Sequence, residues 1–395
     1  MQLTNMAALR HHAYRSVSAL GAFKVSNLDF IDVVLAASET SRAPFILNIP
    51  ESPLKHDNFE IFMAAIVTGA RSGTVQVAIS LDHGTSMETA VSGIKAGCNA
   101  VMIDASSLPL DENLRCTKTV VNMAHACGAA VEGELGYVPW VASEGSEKPA
   151  EDIAYTLPAE AKAFVERTGV DCLAVSIGTI HGLLNGAPKL DITRLSKINE
   201  AVGIPLVIHG GTGLTDDQFR KLVAHGVSKI NYYSALTDVA GASIRTQLQN
   251  HPNGTYPQLT SGVRDAISTQ IERMIRLWGS GGRAAEVLKQ CRPWREAEQI
   301  ASYHAPDAIT GNEASAIMLR GQVALSNIPG IRKVRTGKFL QADGQYHHCW
   351  LIHFASQEVV NFYRTNPTQL HFLDKELQSI KPYLLTIDYE EVDYT

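Results

Sequence analysis

"VQVAISLDHGTS", residues 75–86, is a run of strand-forming apolar residues that ends abruptly on an acid, an imidazole and a glycine. The apolar part has too little polar alternation for a strand with one wet face. It reads as a strand covered on both sides, as in a parallel sheet. Runs of the same texture recur as "LGAFKV" (20–25), "FILNI" (45–49), "AVMIDA" (100–105), "AAVEGEL" (129–135), "CLAVSIG" (172–178), "PLVIHG" (205–210) and "KINYY" (229–233), making eight in all. Between them lie segments such as "NLDFIDVVLAASETSR" and "DENLRCTKTVVNMAHACG", whose apolar residues recur at helical spacing and whose acidic starts suit helix N-termini. Strand, crossover helix and parallel strand repeated eight times predict an α/β fold, a (β/α)₈ TIM barrel. A doubly wound open sheet alternates in a similar way, but the number of units and the residues at the strand ends favour the barrel.

The rest of the chain sets the context. With 395 residues, 45% of them hydrophobic, and a formal charge of −6, it can bury one large core, or one large and one small. No uncharged apolar run of about 18 residues occurs, and the N-terminus lacks the pattern of a signal peptide. The expected address is the cytoplasm. Cysteines 98, 116, 127, 172, 291 and 349 are scattered without a CxxC pair, and they read as buried thiols in a reducing compartment. Without a block of basic residues, neither nucleic acid nor an anionic membrane is an expected partner.

From "TYPQLTSGVRDAISTQIERMIRLWGSGGRAAEVLK" the pattern is helical, with a Gly-rich break at 279–282. Beyond "RPW" (292–294) the texture changes to strand, long helix, two strands, a helical "SQEVVNFYRTNPTQLHFLDKELQSI" and a closing "YLLTIDYEEV". That β-α-β-β-α-β order is ferredoxin-like. The expected division is a barrel over 1–292 and a small α+β unit over 293–395.

In such a barrel the C-terminal strand ends hold the chemistry. Those positions carry Asp82 and His83, Asp104, Glu134, His181, His209 and Asn231. A single histidine at a strand end is usually a satisfied polar residue. Three converging on one mouth, each followed by glycine, fit a Zn²⁺ site with an open position, because this ion favours nitrogen donors. "HGGTG" (209–213), with "HG" at 181–182 and "NYYS" at 231–234, offers backbone N–H groups at loop-to-helix junctions, where a phosphate can sit. The same glycines would also serve plain tight turns.

"LDHGTS", "VMIDASSLPLDEN", "VEGELG", "FVERTGVDCLAVSIGTIHG", "IPLVIHGGTG" and "GVSKIN" together resemble the class II, metal-dependent ketose-bisphosphate aldolases, over roughly residues 15–285. The resemblance implies reversible cleavage of a phosphorylated ketose, with dihydroxyacetone phosphate as the common product. It implies His83, His181 and His209 as metal ligands, with Glu134 beside the metal or at an alternative position. Asp82 would exchange the proton of the hydroxyl on the chain being cleaved. Gly182, Gly210, Gly211, Thr212, Asn231 and Ser234 would hold dihydroxyacetone phosphate and its enediolate. The implied cofactor is Zn²⁺ or another divalent metal, with a monovalent cation near the phosphate, and a homo-oligomer, dimer or tetramer, is expected.

The chain also departs from that pattern. Lys24 replaces a substrate-contacting asparagine, and Pro50 replaces a serine that reaches the distal phosphate. The "HPNGTYPQL" region lacks an arginine that relatives aim at that phosphate. The mobile acidic loop becomes "YVPWVASEGSEKPAED", which leaves Glu144 and Glu147 as candidates for the acid that handles the carbon-bound proton. The near-phosphate cradle is therefore expected intact, and the aldehyde partner is open, including one without phosphate. Alternatives are an ordinary fructose- or tagatose-bisphosphate aldolase, with Lys24 or the C-terminal unit reaching the far phosphate, and a non-catalytic sugar-phosphate-binding or assembly subunit.

Residues 295–395 resemble the stress-responsive α/β-barrel (Dabb) domain, carried by "LSNIPGIRKVRTGKFL", "HHCWLIHFASQEVVNFYRTNPTQLHFLDKEL" and "LLTIDYEEV". Such domains usually dimerise sheet on sheet, so the unit is expected to build a dimer or to lid the barrel mouth. His347, His348, His353 and His371 read as structural or surface residues rather than as a second ligand set, with 347 and 353 facing alike in a strand.

Overall fold

A computed structural model describes residues 3–52, 59–138, 154–182, 188–303, 310–340, 346–375 and 384–390. Eight parallel strands, β1 (Leu20–Lys24), β2 (Phe45–Pro50), β3 (Val77–Gly84), β4 (Ala100–Ile103), β5 (Ala130–Leu135), β6 (Cys172–Val175), β7 (Leu206–Ile208) and β8 (Val227–Tyr232), close into a barrel. Closure is made by β8 on β1, with Ala22 opposite Asn231. Helix α1 (Met6–Arg15) precedes β1. Seven crossover helices follow the first seven strands in turn: α2 (Leu28–Thr40), α3 (Phe59–Ser72), α4 (Met87–Ala96), α5 (Leu110–Ala126), α6 (Pro158–Thr168), α7 (Ile192–Val202) and α8 (Asp216–Ala224). After β8 come α9 (Ser234–Asn250), α10 (Tyr256–Thr260), α11 (Val263–Leu277) and α12 (Ala284–Gln290).

The strands alternate between two different cores. Outward residues such as Phe23, Leu47, Ile79, Val101, Val131 and Ile230 pack under the helices in one large apolar cluster. Inward residues at the strand beginnings are small: Ala22, Ala78, Ala100 and Ala130 share a separate cluster with Leu20 and Ile46. That cluster also holds Met6, Leu9 and Ala13 of α1, so this helix plugs the barrel floor left open by the alanines. Burying Met6 and Leu9 contributes about 1.5–3 kcal/mol each. The sequence pattern assigns no element to residues 6–15. Asn5 starts the helix there by accepting a hydrogen bond from the Ala8 N–H at 3.0 Å.

The second unit is β9 (Ala297–Tyr303), α13 (Gly311–Ser326), β10 (Ile331–Lys338), β11 (His348–Phe354), α14 (Gln357–Thr365), α15 (Pro367–Lys375) and β12 (Leu384–Tyr389). Its antiparallel sheet has the order β10-β11-β9-β12, the ferredoxin-like arrangement. The helix expected over 356–380 is instead two helices among the described residues, because Pro367 offers no N–H and holds Asn366 in the extended region, at ψ 129°.

The described residues of this unit sit against the floor side of the barrel rather than over its mouth. It meets the C-terminal ends of α3, α4 and α5, which lead into the strand beginnings. Arg71 pairs with Glu296 at 2.6 Å, Arg332 Nε donates to the Lys95 carbonyl at 3.2 Å, and Ser356 Oγ donates to the Cys127 carbonyl at 2.8 Å. Nearby, the Asn5 N–H donates to the Arg292 carbonyl and the Trp294 N–H to the Leu3 carbonyl, tying the connecting segment to the floor. Burial opposes the charge on Glu296, but His353, Arg332 and Arg71 outweigh it and hold this carboxyl down to about 2.

Cys98, Cys127, Cys172 and Cys349 are buried free thiols, whereas Cys116 and Cys291 are only half-buried. Among the described residues no helix is long and apolar enough to cross a membrane.

Candidate active site

Strict alternation would send Asp82 and His83 to opposite faces of β3. The β3–β4 register breaks between Leu81 and Gly84, and His83 adopts a left-handed φ of 48°. A non-glycine residue held there is strained, and here the strain turns both side chains into the mouth. Ser86 then caps α4 by accepting from the Thr89 N–H at 3.1 Å, which ends the excursion.

Three imidazoles converge. The His83 ring centroid lies 4.7 Å from that of His209 and 5.3 Å from that of His181, all edge-on. Their ligand atoms lie within 4.8 Å of one another, a group able to hold a metal ion. His83, Asp104 and Glu134 form a second such group sharing the first histidine. Two carboxylates aim the rings from behind: Asp104 Oδ2 lies 2.7 Å from His83 Nδ1, and Glu132 Oε1 lies 2.9 Å from His209 Nε2. This leaves His83 Nε2 and His209 Nδ1 facing each other, 3.1 Å apart. Carboxylate-held imidazoles are a common pattern behind metal ligands.

The electrostatics fit a cation at this point. Burial, then the neighbouring imidazoles, push His181 well below its ordinary value, and burial also lowers His209, so both present neutral nitrogen donors. Burial and the Asp104 carboxylate drive Glu134 well above the usual range. Its Oε2 is buried without a hydrogen-bond partner among the described residues. A divalent ion would relieve that penalty and satisfy the atom. Burial opposes ionisation of Asp82 as well, but His83 and Lys24 outweigh it and keep the carboxyl below the ordinary range. Burial also opposes the charge on His83, yet Asp82, Asp104 and Glu134 raise it to about 9, and a metal on that ring would take the place of its proton. Asp82 Oδ1 accepts from Asn231 Nδ2 at 2.9 Å, and Oδ2 lies 3.7 Å from Lys24 Nζ.

A cleft opens above this cluster, and its walls include Lys24, Gly182, Gly210, Gly211, Thr212, Asn231 and Ser234. Gly210 has a φ of 68°, and a Cβ there would lie 2.4 Å from the Ile180 carbonyl oxygen. Helix α9 begins at Ser234 without a side-chain cap from Tyr233, next to Thr212, whose Oγ1 accepts from the Ala235 N–H at 3.3 Å. Backbone donors at such a junction suit an anion.

Of the residues expected from the sequence, His83, His181, His209, Asp82, Glu134 and the cradle residues come together, and Lys24 joins them. Glu144 and Glu147 lie outside the described residues. Pro50 ends β2 opposite Asp82. His348 stacks on Tyr303 and His353 bonds Glu296, and no metal-ligating group forms around them among the described residues. Glu132 and the part played by Asp104 were missed. Glu132 stands two residues before Glu134 on one strand and so shares its inward face, a signal present in "VEGELG".

The fold and this grouping define a barrel lyase of the aldolase type. The sequence profile described as fructose-bisphosphate aldolase class-II matches residues 4–283, and that of the stress responsive A/B barrel domain matches residues 303–391. A fructose-bisphosphate aldolase of Geobacillus stearothermophilus is 38% identical over 290 residues, covering 72% of this chain and 100% of that protein. A fructose-bisphosphate aldolase of Staphylococcus aureus is 35% identical over 288 residues, covering 72% and 100% respectively. The crystal structure of the YdjI aldolase from Escherichia coli K12 has a TM-score of 0.63 at 32% identity, covering 71% of this chain and 99% of that one. The chain belongs to the class II fructose-bisphosphate aldolase family and carries a C-terminal Dabb domain.

Proposed function

We propose that this enzyme is a divalent-metal aldolase, with Zn²⁺ the ion its donor set favours, that reversibly cleaves a phosphorylated ketose to dihydroxyacetone phosphate and an aldehyde. The observation that carries the reading is the pairing at the end of β3: a buried Asp82 beside His83, with His181 and His209 closing on the same point. His83, His181 and His209 would hold the metal, with Glu134 at hand for a second position. When bound, such an ion polarises a ketone oxygen as a Lewis acid.

The chain's own residues do the rest. Gly182, Gly210, Gly211, Thr212, Asn231 and Ser234 hold the phosphate and fix the ketose in the cleft. Asp82 takes the proton of the distal hydroxyl as the carbon–carbon bond breaks, and Asn231 and Lys24 hold that carboxylate in place. Protonation of the remaining carbon is assigned to Glu144 or Glu147. Pro50 and the uncharged 251–259 segment support an aldehyde partner without phosphate.

A second reading, a bisphosphate substrate, is favoured by Lys24, whose ammonium lies in the cleft 5.4 Å from the Tyr233 ring centroid. The described residues of the C-terminal unit contact the floor side, whereas Lys24 is on the cleft wall. The open face of its sheet, where Leu385, Ile387 and Tyr389 are 41–51% exposed, supports a homodimer.

The test is to measure bound metal and then follow loss of the carbon-bound proton of dihydroxyacetone phosphate in D₂O, for the native chain and for Asp82→Ala. Exchange that survives Asp82→Ala while cleavage is lost is expected. Stoichiometric zinc with no exchange in the native chain overturns the reading. For Lys24→Met, a selective loss with phosphorylated aldehydes supports the bisphosphate substrate, and an equal response to both aldehyde classes removes it.

A further inference from the structure

The barrel interior holds a group of charges that the proposed chemistry does not use. Glu132 is 1% exposed. One of its oxygens, Oε2, lies 2.7 Å from Lys229 Nζ and 3.7 Å from Arg10 Nη1, and the other lies 2.9 Å from His209 Nε2. Arg10 comes from the plug helix α1 and also contacts Cys172 Sγ. Its Nε and Nη2 are buried without a partner among the described residues. An arginine left partly unsatisfied in a core costs stability, even where it also offsets the charge of a buried carboxylate such as Glu132. Its position therefore calls for a role other than holding α1 in place.

We propose that Arg10 and Lys229 clamp Glu132 from the floor, so that Glu132 fixes His209 with Nδ1 toward the mouth, and that helix α1 is thereby a positioning element of the metal centre. The inference rests on the metal reading above. With Oε2 bonded to Lys229 and facing the Arg10 guanidinium, Oε1 stays as the acceptor of the His209 Nε2–H. This selects one tautomer and one ring orientation. Lys229 is fully buried on β8, two residues before Asn231, so the same strand supplies a clamp below and a cradle residue above.

The experiment uses the full chain and two metal readouts: the rate at which Zn²⁺ is lost to a chelator, and the visible absorption spectrum after Co²⁺ substitution. For Glu132→Gln, about a 10- to 100-fold loss of Zn²⁺ affinity and an altered Co²⁺ spectrum are expected. For Arg10→Met, Zn²⁺ release should become faster and the Co²⁺ spectrum should change, while Lys229 keeps Glu132 paired in the folded protein. A purely structural role would lower the melting temperature and leave the Co²⁺ spectrum native. Should Glu132→Gln fail to fold, Arg10→Met carries the test. Native release rates and a native Co²⁺ spectrum in Arg10→Met overturn the proposal. A native chain that takes up neither Zn²⁺ nor Co²⁺ refutes the metal reading itself.

Discussion

Two glycines of the same turn allow the phosphate cradle to be tested with an internal control. Gly210 and Gly213 both have left-handed backbones, with φ of 68° and 85°. An L-residue in either place costs roughly 1–2 kcal/mol from backbone strain alone. The surroundings differ. A Cβ on Gly213 meets nothing within 4 Å, whereas one on Gly210 would lie 2.4 Å from O, 2.5 Å from C and 2.9 Å from N of Ile180. All three are backbone atoms, so no side chain can swing away. The Ile180 peptide must move, and Ile180 directly precedes His181 while Gly210 directly follows His209. Gly213→Ala should therefore lower Tm by only a few degrees and leave bound zinc and the KM for substrate close to native. Gly210→Ala should cost at least about 1 kcal/mol more, in the range seen for overpacked sites. It should also weaken zinc retention and raise KM. Calorimetry of both metal-free variants, zinc analysis after dialysis and steady-state kinetics decide the matter. If Gly210→Ala proves no more harmful than Gly213→Ala in all three, the close approach of the two ligand-bearing turns is not what positions the imidazoles.

Removal of the metal with a chelator should abolish deuterium exchange into dihydroxyacetone phosphate, and added Zn²⁺ or Co²⁺ should restore it; exchange that persists in metal-free protein contradicts the proposed chemistry. Asp104→Asn should weaken zinc binding about 10- to 100-fold by loosening His83, measured by chelator competition, with little change in the far-ultraviolet spectrum. At the floor, Glu296 is depressed from an ordinary value of 4.5 to about 2, which corresponds to about 3 kcal/mol of stabilisation. That contribution is fully present above pH 4.5 and fades as pH falls toward 2. Glu296→Gln should therefore flatten the acid-unfolding curve over this window, and an unchanged curve would show the ion cluster to be idle.

The barrel was legible because each strand is apolar toward the helices, and its polar residues gather at one end. The floor was not. Residues 6–15 contain no acid to mark a helix start, and they place Arg10 on the buried face, where a sequence pattern expects a surface residue. Asp82 and His83 were readable as site residues from composition, but adjacent residues of a strand ordinarily diverge, and only the break in register brings both to one side. Glu132 escaped because a charged residue in mid-strand reads as half-exposed unless its partner Lys229, 97 positions away, is known. Pro367 was visible in the sequence and should have divided the helix. The side of the barrel on which the second unit sits is fixed by Arg71, Lys95 and Cys127 at helix ends, whose contacts have no sequence pattern.

That placement has a consequence for how the molecule meets its surroundings. If two copies join through the open faces of their C-terminal sheets, the junction is made by the unit docked on the floor side rather than by the loops around the mouths. Each entrance would then be bordered by loops of its own chain. Fixing the protein to a support through the C-terminal sheet would leave the same entrances clear.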